Sequence, residues 1–177
     1  MGVAALLAAR FARTHQWLLE ALEPLVDDVL RERPGASAPS IAFHAWHVAR
    51  WADRVQARLA GTTELWERDA LARRWGLADG ALGRHATGMG LADDEYDALR
   101  LPGKDELLRY VRAVFTAADQ AAAAIADADL ETLIVDHYDK ESPKAQVLIA
   151  HTGHASRHLG MIEALRGVRG ERGSATG

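Results

Sequence analysis

Residues 146–167, QVLIAHTGHASRHLGMIEALRG, read as one helix whose apolar side carries three histidines. At about 100° per residue, Val147, His151, His154, His158, Met161, Ile162 and Leu165 share a face. Gln146, Ser156, Arg157 and Glu163 lie away from its centre. Buried imidazoles must be hydrogen-bonded or ligated, so whatever packs on this helix has to answer them with polar groups. That condition restricts the fold more tightly than an apolar stripe alone. His154 and His158 stand one turn apart and can bind one metal ion together. His151 and His158 are separated by roughly 10 Å of axial rise and cannot share one. His151 is then a supporting neighbour, or an alternative partner for His154.

Three more long segments have helical spacing. The first runs from Val3 towards Arg33, with Leu6, Leu7, Phe11, Leu18, Leu19 and Leu22 at three- and four-residue steps and Pro24 as a kink or stop. After the breaker PGASAPS, the second covers Pro39 to Leu59 and stops at Gly61. The third runs from Lys104 to Asp127, with Asp105 and Glu106 where the helix dipole favours them. Pro143 suits the first position of the fourth. No strand pattern competes, so the expected fold is all-α: a four-helix bundle. The connection over residues 61–103 is too long for a hairpin and predicts a crossover that leaves helices two and three parallel. One domain is expected over residues 1–167, followed by a disordered tail, 168–177.

Composition narrows the function. The chain has 177 residues and a net charge of −4, with no massed basic stripe, which gives nucleic-acid binding no electrostatic support. No apolar run reaches membrane-spanning length, and the N-terminus lacks the basic start of a signal peptide, so a cytoplasmic protein is expected. There is no cysteine, which excludes disulfides, thiolate ligands and a cysteine nucleophile. A metal site here must use histidine, carboxylate and water.

The second helix offers His44 and His47, three residues apart. Its apolar centre is Ile41, Ala45, Val48, Val55 and Leu59, and periodicity slightly favours His44 over His47 as the inward residue. If helices two and four run antiparallel, His47 and His158 come level, roughly 12–13 Å from their respective helix ends. His154, His158 and one histidine of helix two would give three nitrogens and leave positions open for water or substrate, the pattern of a catalytic site. Imidazole suits zinc, nickel, iron and copper alike.

The segments SIAFHAWHVARWADR and HTGHASRHLGMIEALRG, in this order and separated by a long crossover, resemble the helix-two and helix-four motifs of the DinB/YfiT-like superfamily. The resemblance covers the chain up to about Gly167. It implies a four-helix bundle, a homodimer, and one divalent metal ion held by His47, His154 and His158, with His44 as the alternative to His47. Where many relatives carry Arg-Gly-Gln after the last histidine, this chain has Leu159-Gly160-Met161. The family includes metal-dependent transferases and isomerases that use low-molecular-weight thiols such as mycothiol or bacillithiol, among them the mycothiol-dependent maleylpyruvate isomerases. The expected function is therefore thiol transfer or thiol-dependent isomerisation of a small-molecule substrate, with Zn, Ni or Fe as the metal. The alternatives are a metal-dependent hydrolase and a non-catalytic metal- or ligand-binding stress protein. Thiol chemistry would ask for a cationic patch, for which Arg50, Arg54 and Arg157 are candidates.

Other residues invite plainer readings. Trp46, Trp51, Trp66 and Trp75 are core or interface anchors before they are a pocket lining. His85 is expected at the surface, Asp136, His137 and Asp139 in ordinary loop polarity, and His15 in either core or surface. Asp53 and Glu67 are remote candidates for extra ligands or bases.

Overall fold

The computed structural model describes residues 1–35, 37–77, 82–171 and 173. Among them are four long helices, α1 (Val3–Leu22), α3 (Ile41–Ala60), α7 (Lys104–Ala123) and α8 (Lys144–Val168). Shorter ones are α2 (Asp27–Arg31), α4 (Leu65–Arg68), α5 (Leu71–Arg74) and α6 (Asp93–Ala98). The protein is mostly helical, and no described helix is long and apolar enough to cross a membrane. Parts of the breaker cluster, of the glycine-rich crossover and of the expected disordered tail (residues 36, 78–81, 172 and 174–177) lie outside the described residues.

Each long helix packs on two others: α1 on α7 and α8, and α3 on α7 and α8. Specific pairs give their directions. His44 meets His158 and His47 meets His154, so α3 and α8 are antiparallel. His15 meets Asp119 and Glu23 meets Arg112, so α1 and α7 are antiparallel. His15 pairs with His151, and Ala21 with Arg166, which makes α1 and α8 parallel. It follows that α3 and α7 run the same way, joined by the crossover.

The ends of these helices are set by chemistry that the sequence partly advertises. Ser40 caps α3 by accepting a hydrogen bond from the Phe43 amide at 3.2 Å. Gly61, at φ +65°, closes its other end in the left-handed conformation. Two further caps come from distant parts of the chain. Asp127 accepts from the Ala4 amide at 2.7 Å at the start of α1, and Asp27 accepts from the Lys104 amide at 2.7 Å at the start of α7. Both place a carboxylate where orphan amides and the helix dipole favour one.

Pro24 acts as the stop rather than as a kink: α1 ends at Leu22, ahead of it, and α2 takes up the helical pattern towards Arg33. One expectation is corrected. The connection before α8 contains a hairpin, β1 (Leu133–Val135) paired antiparallel with β2 (Glu141–Pro143), Ile134 opposite Ser142. Three residues per strand are too few to show an alternating pattern. Its turn depends on Asp136, whose carboxylate accepts from the Tyr138 amide (2.7 Å), the Lys140 amide (3.0 Å) and the Ser142 hydroxyl (2.8 Å).

Residues 41–57 of α3 are buried without a break, because the crossover covers the side that α7 and α8 leave open. The cover is pinned by buried charge. Arg50 donates to the Ala86 carbonyl (2.9 Å), to Asp53 (3.1 Å), to Glu64 (2.7 Å) and to the Tyr110 hydroxyl (3.2 Å). Gly88 completes the fit at φ +81°. A Cβ there would lie 2.5 Å from the Phe43 ring and 2.8 Å from Trp46. Gly88→Ala should therefore destabilise the fold by roughly 2–4 kcal/mol, combining left-handed strain with overpacking. Urea denaturation against wild type measures it; a change under ~0.5 kcal/mol would mean that the crossover does not press on α3 as described.

Candidate metal centre

Seven of the eight histidines gather in the space bounded by α1, α3, α8 and the hairpin, or beside it; His85 faces it from the crossover. His47 of α3 and His154 and His158 of α8 come together so that one nitrogen of each lies within 4.8 Å of the others. Antiparallel packing produces this: a step from His44 to His47 along α3 matches a step from His158 back to His154 along α8. Nε2 of His47 is 3.2 Å from Nε2 of His154, and the His47 and His158 ring centroids are 4.7 Å apart.

The tautomer of His47 is fixed. Its Nδ1–H donates to the Thr87 carbonyl at 2.6 Å, which leaves Nε2 with a free lone pair aimed at the other two rings. Thr87 follows Ala86, the residue that Arg50 holds, so the arginine indirectly sets the orientation of the histidine. Burial keeps the donors neutral. It pushes the His154 imidazole down to about 3 and the His158 imidazole down to about 2, with neighbouring His47 adding to both. His47 is lowered by burial, against the opposing pull of the Thr87 hydrogen bond. Three neutral imidazoles with nitrogens turned towards one point can each present a lone pair there, which suits a divalent cation.

His44 is close but differently engaged. Its Nδ1 lies 2.9 Å from Nδ1 of His158, so it contacts the ligand-bearing ring of α8 from the side. Burial, then the proximity of His47, lowers His44 to about 4. Periodicity leaned to His44 as the inward residue; the structure buries both, and it is His47 that converges with the α8 pair.

Aromatic rings wall the cluster. Phe43 stacks on His47 with centroids 5.7 Å apart, and Trp51 stands edge-on to His154 at 6.2 Å. Tyr138, from the hairpin turn, covers Trp51 at 4.9 Å and is partly exposed. Trp46 and Trp66 are core residues, and Trp75 packs against Trp66 and Tyr110. Of the four tryptophans singled out, Trp51 alone borders the histidines.

Several sequence expectations change here. Arg50 and Arg54 are not a free cationic patch: both are buried in ion pairs, Arg54 with Glu64 and Asp139. Arg157 is exposed beside His154 and His158 and makes no hydrogen bond or ion pair among the described residues. Asp53 is fully buried and serves Arg50, Gln56, Tyr110 and two backbone amides, so it faces no ion. Glu67 is exposed. His137 is buried rather than loop polarity, and His85 is half-buried, 3.7 Å from Asp139. Nothing in the local sequence of either distinguishes it from a surface loop residue.

The histidines also set an acid limit on stability. Burial lowers His44, His137, His151, His154 and His158 in the folded chain, whereas unfolded histidine titrates near 6.5. Below that pH the unfolded chain binds protons that the native one does not, so native stability falls as pH drops. Each such group contributes about 1.4 kcal/mol per pH unit in that range. Metal-free protein should melt at a constant temperature above pH 7 and lose stability steeply from pH 6 to 4. A thermal-melt series by circular dichroism that stays flat across this range would contradict the burial of these rings.

A comparison with protein families gives a match to the DinB superfamily over residues 10–162. The chain belongs to the DinB superfamily. Solved structures agree at the level of fold. A conserved protein from Enterococcus faecalis superposes with a TM-score of 0.77 at 20% identity, covering 97% of this chain and 99% of that one. A DinB-like protein from Bacillus cereus gives 0.54 at 18% identity, over 89% and 86%. A comparison with curated proteins gave no significant match. The three converging histidines of this DinB protein sit on α3 and α8, the two helices whose sequence motifs carry the family resemblance.

Proposed function

We propose that this DinB protein binds one divalent ion of the zinc, nickel or iron type through His47, His154 and His158, and uses it on a small thiol-dependent substrate. The observation that carries this reading is the lone pair of His47 Nε2, locked by the Thr87 carbonyl and turned onto two neutral imidazoles. Bound there, such an ion lowers the pKa of a coordinated thiol or water and leaves positions for it. The protein does the rest. Phe43 and Trp51 exclude water from one side, His44 steadies His158, and Arg157 offers a cation to a carboxylate-bearing thiol or substrate. The reading includes a four-helix bundle that works in the cytoplasm as a homodimer.

Cobalt-substituted protein provides the test. Addition of a low-molecular-weight thiol such as mycothiol or bacillithiol should produce a thiolate-to-cobalt charge-transfer band in the near ultraviolet. Arg157→Ala should weaken binding of bacillithiol, whose malate supplies the carboxylates, by about 10-fold without changing cobalt uptake. Cobalt bound with no thiol band would exclude thiol chemistry; thiol-independent ester or amide hydrolysis would then point to a hydrolase, and no turnover to a metal-holding protein.

A further inference from the structure

A second histidine chain lies next to the proposed centre and does not belong to it. Asp119 of α7 contacts Nδ1 of His15 at 2.7 Å, and Nε2 of His15 contacts Nε2 of His151 at 3.0 Å. Both imidazoles are 1% exposed. His15 is clamped between rings, stacked on Phe115 at 4.1 Å and edge-on to Phe11 at 4.6 Å, so its orientation is fixed. Asp119 is the one member that reaches solvent.

The hydrogen-bond polarity follows from which atoms carry protons. A carboxylate only accepts, so His15 must donate from Nδ1. With a single proton on its ring, His15 has only a lone pair at Nε2, and His151 then donates to it from its own Nε2. That leaves Nδ1 of His151 deprotonated. This atom is buried and has no hydrogen-bond partner. An acceptor stranded in a dry interior costs about 1–3 kcal/mol, so it is expected to have a donor in the working protein.

Its surroundings suggest the donor. His151 is one turn before His154 on α8, with ring centroids 6.2 Å apart. His137, on the hairpin turn, has the other buried imidazole nitrogen without a partner, and it influences His151 and His154 alike. Two orphan nitrogens thus lie near one candidate ligand: His151 a helical turn from His154, and His137 against Trp51, the ring that also stands edge-on to His154.

We propose that Asp119 and His15 lock His151 as its Nε2–H tautomer, so that Nδ1 accepts a hydrogen bond from the protic ligand, a water or a thiol, carried at the histidine centre. The role for the ligand rests on the metal reading given above; the lock itself does not. His15 and Asp119 are positioning residues, acting through His151.

Long-range proton–nitrogen correlation spectra of the full chain, labelled with 15N-histidine, separate the two. Metal-free wild type should show His15 protonated on Nδ1 and His151 on Nε2, each as one dominant tautomer. Asp119→Ala should turn both into mixtures. His15→Phe, which preserves the ring packing, should free His151 while leaving the His47 resonances in place. Added zinc should move His154, His158 and His47 to metal-bound positions and shift His151 Nδ1 towards the hydrogen-bonded range. A His151 protonated on Nδ1, or one indifferent to both substitutions, overturns the lock. Zinc bound with His151 Nδ1 unmoved overturns its role as acceptor. Failure of zinc to bind overturns the centre and that role together, and the metal-free tautomers still judge the lock by itself.

Discussion

Wild type is expected to emerge from purification with near-stoichiometric metal, and His154→Ala protein without it. His47→Ala should do the same, since each removes one of three nitrogens that meet within 4.8 Å. Elemental mass spectrometry on untagged protein measures both. His44→Ala is the informative control. His44 touches His158 rather than the point where the three rings meet, so its loss should weaken metal binding by about 10- to 100-fold, the usual cost of losing a partner behind a ligand, and should not abolish it. Metal retained in His47→Ala and lost in His44→Ala would exchange their roles. Wild type that takes up no metal even on reconstitution would make these rings a hydrogen-bonded core. All three variants keep the Arg50 and Asp53 contacts, and His47→Ala gives up only its own hydrogen bond to the Thr87 carbonyl of the crossover, so a folded protein is expected in each case.

Asp53→Ala should be the most damaging single change away from the histidines. Its carboxylate is wholly buried and accepts from Arg50, Gln56, the Tyr110 hydroxyl and the amides of Leu65 and Trp66, the last two at 2.8 Å. Alanine would leave two buried amides without their acceptor and the buried Arg50 guanidinium with Glu64 as its one remaining carboxylate. Breaking a buried ion pair from one side costs about 3–5 kcal/mol, a large share of the 5–15 kcal/mol typical of a whole domain. Urea or thermal unfolding should show that loss, or no folded protein at all. Asp53→Asn, which keeps two acceptor positions on its amide oxygen, should recover part of it. A loss below ~1 kcal/mol for alanine would mean that water reaches the site and the network is not dry.

The residues that were legible in the sequence are those whose meaning lies in local spacing. On α8 the expected face holds in part: Val147, His151 and Ile162 are buried, but Met161 is exposed, and Leu148 and Ala155 are buried beside them; the His154–His158 pair could be read from its one-turn spacing. The choice between His44 and His47 could not, because periodicity ranks faces of a helix with one open side, and α3 has none: the crossover buries both flanks. Arg50 looked like a free cation because, apart from Asp53 one turn along α3, its partners lie on α4's approach, the crossover and α7. The link from His15 to Asp119 and His151 spans 104 and 136 residues, and only packing brings its members together. The hairpin was missed because Asp136, rather than an alternating pattern, organises its turn.

The two borrowed helix caps bear on how the chain reaches this fold. The carboxylate that starts α1 is 123 residues further along the chain, and the one that starts α7 is 77 residues before it. Gly2 leaves no room for a side chain against Asp127, so the first of these contacts is tight as well as distant. Neither helix has a side-chain cap from its own N-cap residue. Both gain that stabilisation only once remote segments have docked, and loop-closure entropy must be met before it arrives. Helix ends that would otherwise fray early instead report on global assembly, which favours one cooperative transition over the gradual zippering that four independent helices would show.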